Sequence, residues 1–358
     1  MTRIGYSAFE HCTGLTSITV DPTTPPSLGS RAFDHTNDCP IYVPAGSVNV
    51  YKSAWSEYAD RIQPIRDHLR QVDSLALVAI YNASKGAEWT KGNWDLTQDM
   101  STWKGVTLTD GRVTALKLTT TDVIPQEWTL PAKIGDLTEL TDLCINSNNL
   151  SGSIPDEVYS LVKLEKLYFM NDNLTGALSD MVGQLTNLTE LYLNGNKNLS
   201  GTIPATIGQL KKLESLNIAQ TAIGGEIPLT LAQCTALKNF IAWNNQLSGQ
   251  IPDFWDELPN VGVLQLYGNP GITGPIPASI GSLKLATVIQ LKDCNLTGNI
   301  PASFGGLEKC RNLQLSGNKL SGVVPVDVQA HPNWMATSGW KYETNILPQQ
   351  EGYGLSLE

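Results

Sequence analysis

The chain has 358 residues, of which 41% are hydrophobic and 16% are charged, and its formal net charge at pH 7 is −10. An acidic chain without a basic stripe is a poor ligand for nucleic acids or anionic membranes, because both are bound through clusters of Lys and Arg. The sequence contains no run of about 18 apolar residues, so it predicts no transmembrane helix. The first residues do not have the pattern of a secretory signal either.

Residues 1–65 carry a short repeat of their own. Its residues are Ile4-Gly5-x-x-Ala8-Phe9-x-x-Cys12-x-x-Leu15-x-x-Ile18-x-Val20, then Ala32-Phe33 and Ile41-Tyr42-Val43-Pro44-Ala45-Gly46-Ser47. The pattern resembles the C-terminal end of a leucine-rich-repeat array of the treponemal surface-antigen type (BspA-like). The resemblance implies that residues 48–62 form an amphipathic helix that closes the array. Since residues 1–5 resemble the middle of a repeat, we expect an upstream segment to precede them.

The six cysteines do not form a metal or redox motif, because no C-x-x-C is present. Cys294 and Cys310 fall on positions of the main repeat where a small thiol can be buried. We therefore expect core thiols. A disulfide between Cys12 and Cys39 is the alternative.

Residues 66–112 follow a linker near residues 64–67 and are rich in tryptophan. Trp89, Trp94 and Trp103 lie within this segment. Large aromatic side chains bury much apolar area. Such a segment can cover the open end of a repeat array.

Residues 113–325 repeat one pattern with a fixed period. The clearest copy is Leu140-x-x-Leu143-x-Ile145-x-x-Asn148-x-Leu150-x-Gly152-x-Ile154-Pro155. Its first position recurs at Leu164, Leu188, Leu213, Leu237, Val261, Ala286 and Cys310, with steps of 24 or 25 residues. A period of this size is the signature of a solenoid, in which each repeat stacks on its neighbours.

The repeat predicts a strand, a turn and a short helical segment in each copy. The leucines of the strand are expected to point inward. The Asn position can bond the backbone where the chain leaves the strand. It is occupied by Asn148, Asn196, Asn245, Asn269 and Asn318, and replaced by Asp172, Thr221 and Cys294. Gly permits a bend after the turn, and Pro can begin the next short helix.

This pattern resembles the plant-type leucine-rich repeat, whose specific part is Leu-x-Gly-x-Ile-Pro, and the resemblance extends over residues 73–325. It implies an α/β solenoid with a parallel sheet on the concave face, short helical or 3-10 turns on the convex face, and caps at both ends. The domains predicted are 1–65, 66–112 as the N-terminal cap, 113–325 as the array and 326–358 as the C-terminal cap. In the last segment, Trp334 and Trp340 are expected to seal the final repeat.

The sequence holds no catalytic, phosphate-binding or zinc motif. All four histidines lie outside the array, and we interpret His11 and His35 as solvated loop residues. We therefore expect no catalytic residues, no cofactor and no metal. The one enzymatic alternative is a glycosidase pair, Asp142 and Glu190, two strands apart and separated by roughly 9.6 Å. Lys166 lies between them, so an ion-pair ladder across the strands explains the same residues.

Side chains alternate along a strand, so those that flank the buried leucines point to the concave face. Two apolar clusters are predicted there, with amides around them. The residues proposed to bind a ligand are Tyr168, Met170, Tyr192, Asn194, Asn217, Ile241, Trp243, Gln265, Tyr267 and Gln290. Aromatic rings and amides are the side chains that recognition surfaces use. Cross-strand pairing for stability is the alternative explanation for the tyrosines.

These observations predict a protein- or peptide-binding module without enzymatic activity, with the ligand held on the concave face. The BspA-like resemblance of residues 1–65 implies an extracellular or cell-surface bacterial protein that serves adhesion or contact with a host or partner. The alternative is glycan binding by the same aromatics, and a glycoside hydrolase is the more remote alternative. The C-terminal half of the face is rich in amides and nearly uncharged, which disfavours a strongly charged ligand.

Overall fold

A computed structural model describes residues 2–119, 126–334, 340–347 and 349–357. Contacts between Cα atoms divide the chain into two units, Met1–Leu77 with Leu108–Val113, and Val78–Thr107 with Thr114–Glu358. The domain boundaries expected at 65, 112 and 325 stay predictions. Within the described residues, no helix combines the length and the apolar character needed to cross a bilayer.

The first unit is built on short parallel strands. Their bounds are β1 (Arg3–Ile4), β2 (Ile18–Thr19), β3 (Ser27–Leu28), β4 (Ile41–Val43) and β5 (Ile62–Pro64). Strand β1 pairs with β3, and β4 lies between β2 and β5. The buried core between them contains Phe33, Ile41 and Tyr51. Cys12 and Cys39 are both free thiols, the first exposed and the second buried.

The helix expected over residues 48–62 is shorter in the structure. Helix α1 (Val48–Ala54) ends before Trp55, and a 3-10 turn, Ser56–Arg61, follows it. Trp55 has a non-helical backbone, because its indole is buried against Phe33 and its Nε1 donates to the carbonyl of Pro26. The continuous helix was therefore a wrong prediction. Helix α2 (Ile65–Ala83) comes next in the chain.

The second unit contains the main parallel sheet, to which successive repeats each add one strand. These strands are β7 (Arg112–Leu118), β9 (Asp142–Asn146), β11 (Lys166–Met170), β13 (Glu190–Tyr192), β15 (Ser215–Asn217), β17 (Asn239–Ile241), β19 (Val263–Gln265), β21 (Val288–Gln290) and β23 (Asn312–Gln314). Their spatial order is their chain order. The leucines at the middle of these strands, such as Leu143 and Leu167, are fully buried, as the repeat predicts.

A second row of short parallel strands follows the turn of each repeat. It comprises β8 (Trp128–Thr129), β10 (Leu150–Gly152), β12 (Asn173–Ala177), β14 (Asn198–Ser200), β16 (Gly224–Gly225), β18 (Gln246–Gln250), β20 (Gly271–Pro275), β22 (Asn295–Gly298) and β24 (Lys319–Leu320). Strand β6 (Val106–Thr109) is the edge strand of the main sheet, beside β7. Outside both rows lie β25 (Gly322–Val323), β26 (Leu355–Ser356) and helix α3 (Val326–Gln329).

Each repeat ends in a 3-10 turn on the side away from the main sheet. The turns are Ala132–Asp136, Asp156–Ser160, Asp180–Gln184, Ala205–Gln209, Leu229–Gln233, Trp255–Glu257, Ala278–Ser282 and Ala302–Gly306. Most of them begin directly after a proline, such as Pro204. In the copy that lacks this proline, Ser179 takes its place and its side chain accepts a hydrogen bond from the Met181 N–H. The predicted solenoid with 3-10 turns is confirmed.

In four repeats, the asparagine joins neighbouring repeats through the backbone, whereas the buried Oδ1 and Nδ2 of Asn148 have no partner among the described residues. Asn196 donates from Nδ2 to the carbonyls of Phe169 and Leu193, at 2.7 and 2.8 Å, and accepts the Leu174 N–H at Oδ1. Asn245, Asn269 and Asn318 repeat the two donated bonds. Because these side chains are buried, they satisfy backbone groups that water cannot reach. We call this row the asparagine ladder.

The replacements in the asparagine ladder satisfy the backbone less completely. Thr221 donates to the Ile218 carbonyl at 3.0 Å, whereas the thiol of Cys294 lies 3.5 Å from the Leu266 carbonyl. Asp172 accepts the N–H groups of Asn148 and Leu150 at Oδ1, but its buried Oδ2 has no partner among the described residues. Burial raises the pKa of Asp172 to about 6, against the effect of these backbone N–H groups.

Aromatic side chains cap both ends of this unit. Trp94 stacks on Trp103 and meets Trp89 edge-on, and all three are buried. At the other end, Trp340 is fully buried and donates from Nε1 to the Cys310 carbonyl at 2.8 Å. Beyond β23, the Asn345 carbonyl accepts the N–H groups that follow this last strand. Both caps therefore cover apolar or backbone groups that the array would leave open.

Replacing Asp172 by Asn should stabilise the protein at neutral pH. An amide can donate where the carboxylate cannot, and it carries no buried charge. Because its pKa is raised, the protonated Asp172 contributes to the free energy of unfolding in full below pH 3.8. This contribution is lost as the pH rises through about 6. Since a tenfold change in proton affinity is worth about 1.4 kcal/mol, we expect Asp172→Asn to gain about 1–3 kcal/mol at pH 7. Urea unfolding between pH 4 and 8 measures this.

The exposed Asp256→Asn is the matched control and should leave the pH profile of stability unchanged. A profile for Asp172→Asn that runs parallel to that of the wild type would show that Asp172 does not titrate in this range.

Candidate binding surface

The inner face is the surface of the main sheet opposite the buried leucines. The backbone register places equivalent side chains side by side: Tyr168 lies between Cys144 and Tyr192, and Asn217 lies between Tyr192 and Ile241. Because the pairing is parallel and in register from β9 to β23, equivalent side chains of successive repeats form straight columns. Neighbouring side chains within a column are about 4.8 Å apart, which is the spacing between adjacent strands. Parts of the chain that are 24 or 25 residues apart therefore build one continuous surface.

The first aromatic pair of the inner face is Tyr168 with Tyr192. Their rings stack with centroids 4.7 Å apart and planes 15° apart. Tyr168 donates its hydroxyl proton to Oε2 of Glu190, and Lys166 lies 3.3 Å from the other carboxylate oxygen. Burial and the hydrogen bond to Glu190 raise the pKa of Tyr168. Burial alone would raise the pKa of Glu190, but Tyr168 and Lys166 hold it below its usual value.

The second aromatic pair is Trp243 with Tyr267, whose rings are 5.3 Å apart and nearly parallel, at 3°. Both side chains are half-buried. The ammonium of Lys292 lies 5.4 Å from the centroid of the Tyr267 ring, in the distance range of a cation–π contact. Trp243, Tyr267 and Lys292 therefore form a three-layer stack that runs across three neighbouring repeats.

Amides surround the second pair and the space between the two pairs. Gln265 donates from Nε2 to Oε1 of Gln290, which is only 9% exposed. Asn217 accepts the N–H of Ala219 at 3.2 Å. The buried Oδ1 of Asn194 has no partner among the described residues. A buried acceptor without a partner destabilises the fold by its desolvation, at about 1–3 kcal/mol.

The structure thus collects the proposed binding residues into two groups on one face. Tyr168, Met170 and Tyr192 lie on or beside β11 and β13, and Ile241, Trp243 and Tyr267 lie on or beside β17 and β19. Strand β15 separates the two groups and contributes Asn217. Their role in binding stays a prediction, since geometry alone does not identify a ligand.

The charged residues of the inner face pair differently from the expected ladder. Asp142 binds Lys117 of β7, with Nζ 2.6 Å from Oδ2, whereas Lys166 pairs with Glu190. The sequence interpretation missed Lys117, although the alignment of Leu116 with Leu143 extends the face by one strand. These two ion pairs neutralise the N-terminal half of the inner face.

The pair Asp142 and Glu190 does not have the features of a glycosidase. Such an enzyme needs one carboxyl group that stays protonated as the general acid. Glu190 is instead stabilised as a carboxylate by Lys166 and Tyr168. Asp142 carries its own cation, Lys117. The geometry therefore gives the enzymatic alternative no support.

Comparison with known proteins agrees with this geometry. The family model described as Leucine Rich Repeat matches residues 187–210. No curated protein sequence matches the chain. Among solved structures, the chain is 28% identical to the ectodomain of the plant membrane receptor kinase GASSHO1/SCHENGEN3 from Arabidopsis thaliana, in complex with CASPARIAN STRIP INTEGRITY FACTOR 2. That match covers 72% of this chain and 31% of the receptor chain, with a TM-score of 0.64.

Two further receptors show the same likeness. The Arabidopsis receptor kinase HAESA, solved with the peptide hormone IDA and the co-receptor SERK1, is 26% identical over 71% of this chain and 47% of its own, with a TM-score of 0.61. The plant peptide hormone receptor RGFR1 in complex with RGF2 is 27% identical over 72% and 49%, with a TM-score of 0.56.

The chain spans about a third to a half of the length of these three receptor chains. The matches bear on the plant-type repeat, and the BspA-like resemblance of residues 1–65 stays a prediction. The repeat pattern, the strand register and the structural neighbours together show that the chain is a leucine-rich-repeat protein.

Proposed function

We propose that the inner face binds a peptide or an extended segment of a partner protein. The observation that carries this proposal is the pair of aromatic stacks, Tyr168–Tyr192 and Trp243–Tyr267, on the side of the sheet opposite the core. Half-buried, rigid aromatic side chains provide large contact area at low entropic cost.

The charge pattern supports a ligand of low net charge. Lys117 and Lys166 are paired with Asp142 and Glu190, so the N-terminal half of the face has little charge left to offer. The C-terminal half presents the amides of Gln265 and Gln290. The three receptors described above were solved in complex with CASPARIAN STRIP INTEGRITY FACTOR 2, with the peptide hormone IDA and the co-receptor SERK1, and with RGF2, and RGFR1 is named as a plant peptide hormone receptor. We transfer to this chain only the class of ligand.

Glycan binding is the second candidate, because sugars also pair with aromatic rings and amides. A sugar stacks on an open ring face, however, and here each ring already has one face covered by its stacked neighbour. Tyr267 is stacked on Trp243, and Lys292 lies over the ring from the neighbouring strand. Peptide side chains can use ring edges as well as faces. The geometry therefore favours a peptide or protein over a glycan.

We also propose that the protein is a non-enzymatic module of an extracellular or cell-surface bacterial protein, where it serves adhesion or contact with a host or partner. The BspA-like resemblance of residues 1–65 supports the bacterial and surface assignment. The neighbours named as receptor ectodomains support an extracellular role. Binding without catalysis agrees with the ion-paired state of Glu190.

Removing the four aromatic side chains should abolish binding. We expect a displayed peptide library to yield ligands for the wild type whose affinity falls at least about tenfold in Tyr168→Ala/Tyr192→Ala/Trp243→Ala/Tyr267→Ala, since aromatic anchors carry most of the energy of an interface. The control is Val162→Ala/Leu229→Ala, which changes exposed residues away from the inner face. A glycan array with the same proteins tests the second candidate.

Peptides that bind the fourfold variant as tightly as the wild type would contradict the proposal. Glycan binding that the fourfold variant loses, without any selected peptide, would replace it by the second candidate.

The inner-face aromatics should contribute little to folding. We expect Trp243→Ala to lower the free energy of unfolding by less than about 2 kcal/mol, because a half-exposed stacked pair is worth about 0.5–1.5 kcal/mol beyond its buried area. Phe240→Ala, at a fully buried position of the same repeat, should cost about 3–5 kcal/mol. Urea unfolding of both variants measures the difference. Equal losses would mean that Trp243 is retained for packing and would weaken the binding proposal.

A further inference from the structure

Two histidines of the first unit lie at equivalent positions of successive turns. His11 and His35 are 24 residues apart, and their rings stack with centroids 4.6 Å apart and planes 9° apart. Both side chains are exposed. Phe9 and Phe33 stack in the same way two positions earlier, with centroids 5.7 Å apart. The stacking therefore follows from the repeat and is not an isolated contact.

The backbone holds the two histidines in this arrangement. The N–H of Phe9 donates to the Ala32 carbonyl at 2.9 Å, and the N–H of His11 donates to the Asp34 carbonyl at 3.0 Å. Both histidines have left-handed backbones, with φ of 62° and 57°, a conformation in which His is several-fold enriched. The similar backbone conformations on hydrogen-bonded turns thus hold the two imidazoles side by side.

Glu10 adds a carboxylate to the two imidazoles. One ligand atom from each of Glu10, His11 and His35 lies within 4.8 Å of the other two, and within the described residues this is the one such group of three. Arg31 reaches Glu10 with Nη1 3.8 Å from Oε1, but the Arg31 side chain is 60% exposed. So long a contact from an exposed side chain holds Glu10 weakly.

We propose that Glu10, His11 and His35 bind a divalent transition-metal ion, with zinc as the ion of best chemical fit. Zinc lies about 2.0–2.2 Å from imidazole nitrogen and carboxylate oxygen, so its ligand atoms are about 3.4 Å apart in a tetrahedral site. The ligand atoms must approach one another by up to about 1.4 Å, and the two imidazoles must turn out of their parallel stack so that their in-plane lone pairs converge. Exposed side chains can do this by rotating about χ1 and χ2.

The ligand set determines the selectivity of the site and its effect. Two imidazoles and one carboxylate suit zinc, copper and nickel, whereas magnesium and calcium prefer oxygen ligands alone. Three protein ligands leave one position for water or for a group from a partner. Since Glu10 and His11 belong to one turn and His35 to the next, the ion links two successive turns of the first unit.

Calorimetric titration of the full chain with zinc chloride, after removal of any histidine tag, tests the site. We expect one zinc ion per chain and an affinity at least about tenfold lower in His11→Asn and in His35→Asn. Asn is chosen because it tolerates the left-handed backbone, where Ala would be strained. Glu10→Gln should also weaken binding, and the exposed Glu57→Gln is its matched control.

Arg31→Gln provides a variant with the opposite sign. Removal of its guanidinium frees Glu10 for the metal, so zinc should bind more tightly than in the wild type. In EDTA, all of these variants should keep the melting temperature of the wild type, and added zinc should raise it only where the site is intact. Zinc binding that survives in His11→Asn/His35→Asn would overturn the proposal. So would a wild type that binds no zinc at about 100 μM, which is the weakest affinity expected of a useful site.

Discussion

The structure of the array depends on parallel hydrogen bonding of the backbone between neighbouring repeats at a fixed register. Each repeat must return the chain to the same place after 24 or 25 residues, so that the buried apolar residue of each strand meets its equivalent in the next. The asparagine ladder supports this return, because the buried side chains of Asn196, Asn245, Asn269 and Asn318 each bond the carbonyls of two repeats at once. A solenoid has only contacts between neighbours, so this local constraint determines the whole array.

The same register creates the inner face. Once the leucines are fixed on one side of the sheet, the residues between them are fixed on the other, in columns that no single repeat could form. Tyr168 meets Tyr192, and Trp243 meets Tyr267, across 24 residues of chain. Burial of the leucines stabilises the fold, and the aromatic stacks remain available for a partner. Stability and recognition therefore use opposite faces of the same strands.

The sequence predicted most of this architecture because period and alternation are geometric properties of the chain. Buried leucines, the asparagine ladder, the short helical segments after proline and the aromatic columns all followed from spacing, and the resemblance to the plant-type repeat implied the 3-10 form of those segments. Spacing could not show which cation pairs with Asp142, since Lys117 and Lys166 lie on the two strands that flank it and rotamers decide between them. Nor could it show that helix α1 stops at Ala54, because the tertiary packing of Trp55 overrides the helical pattern.

The central claim is that the inner face is the surface that meets a partner. A photoreactive amino acid at Asn217, between the two aromatic pairs, tests it most directly. The same amino acid at Leu229, which is 74% exposed on a 3-10 turn, is the reference position. If the inner face meets the partner, a peptide or protein bound by the wild type should be cross-linked from position 217 and not from position 229. Cross-linking from position 229 alone would place the partner on the outer turns and contradict binding at the inner face.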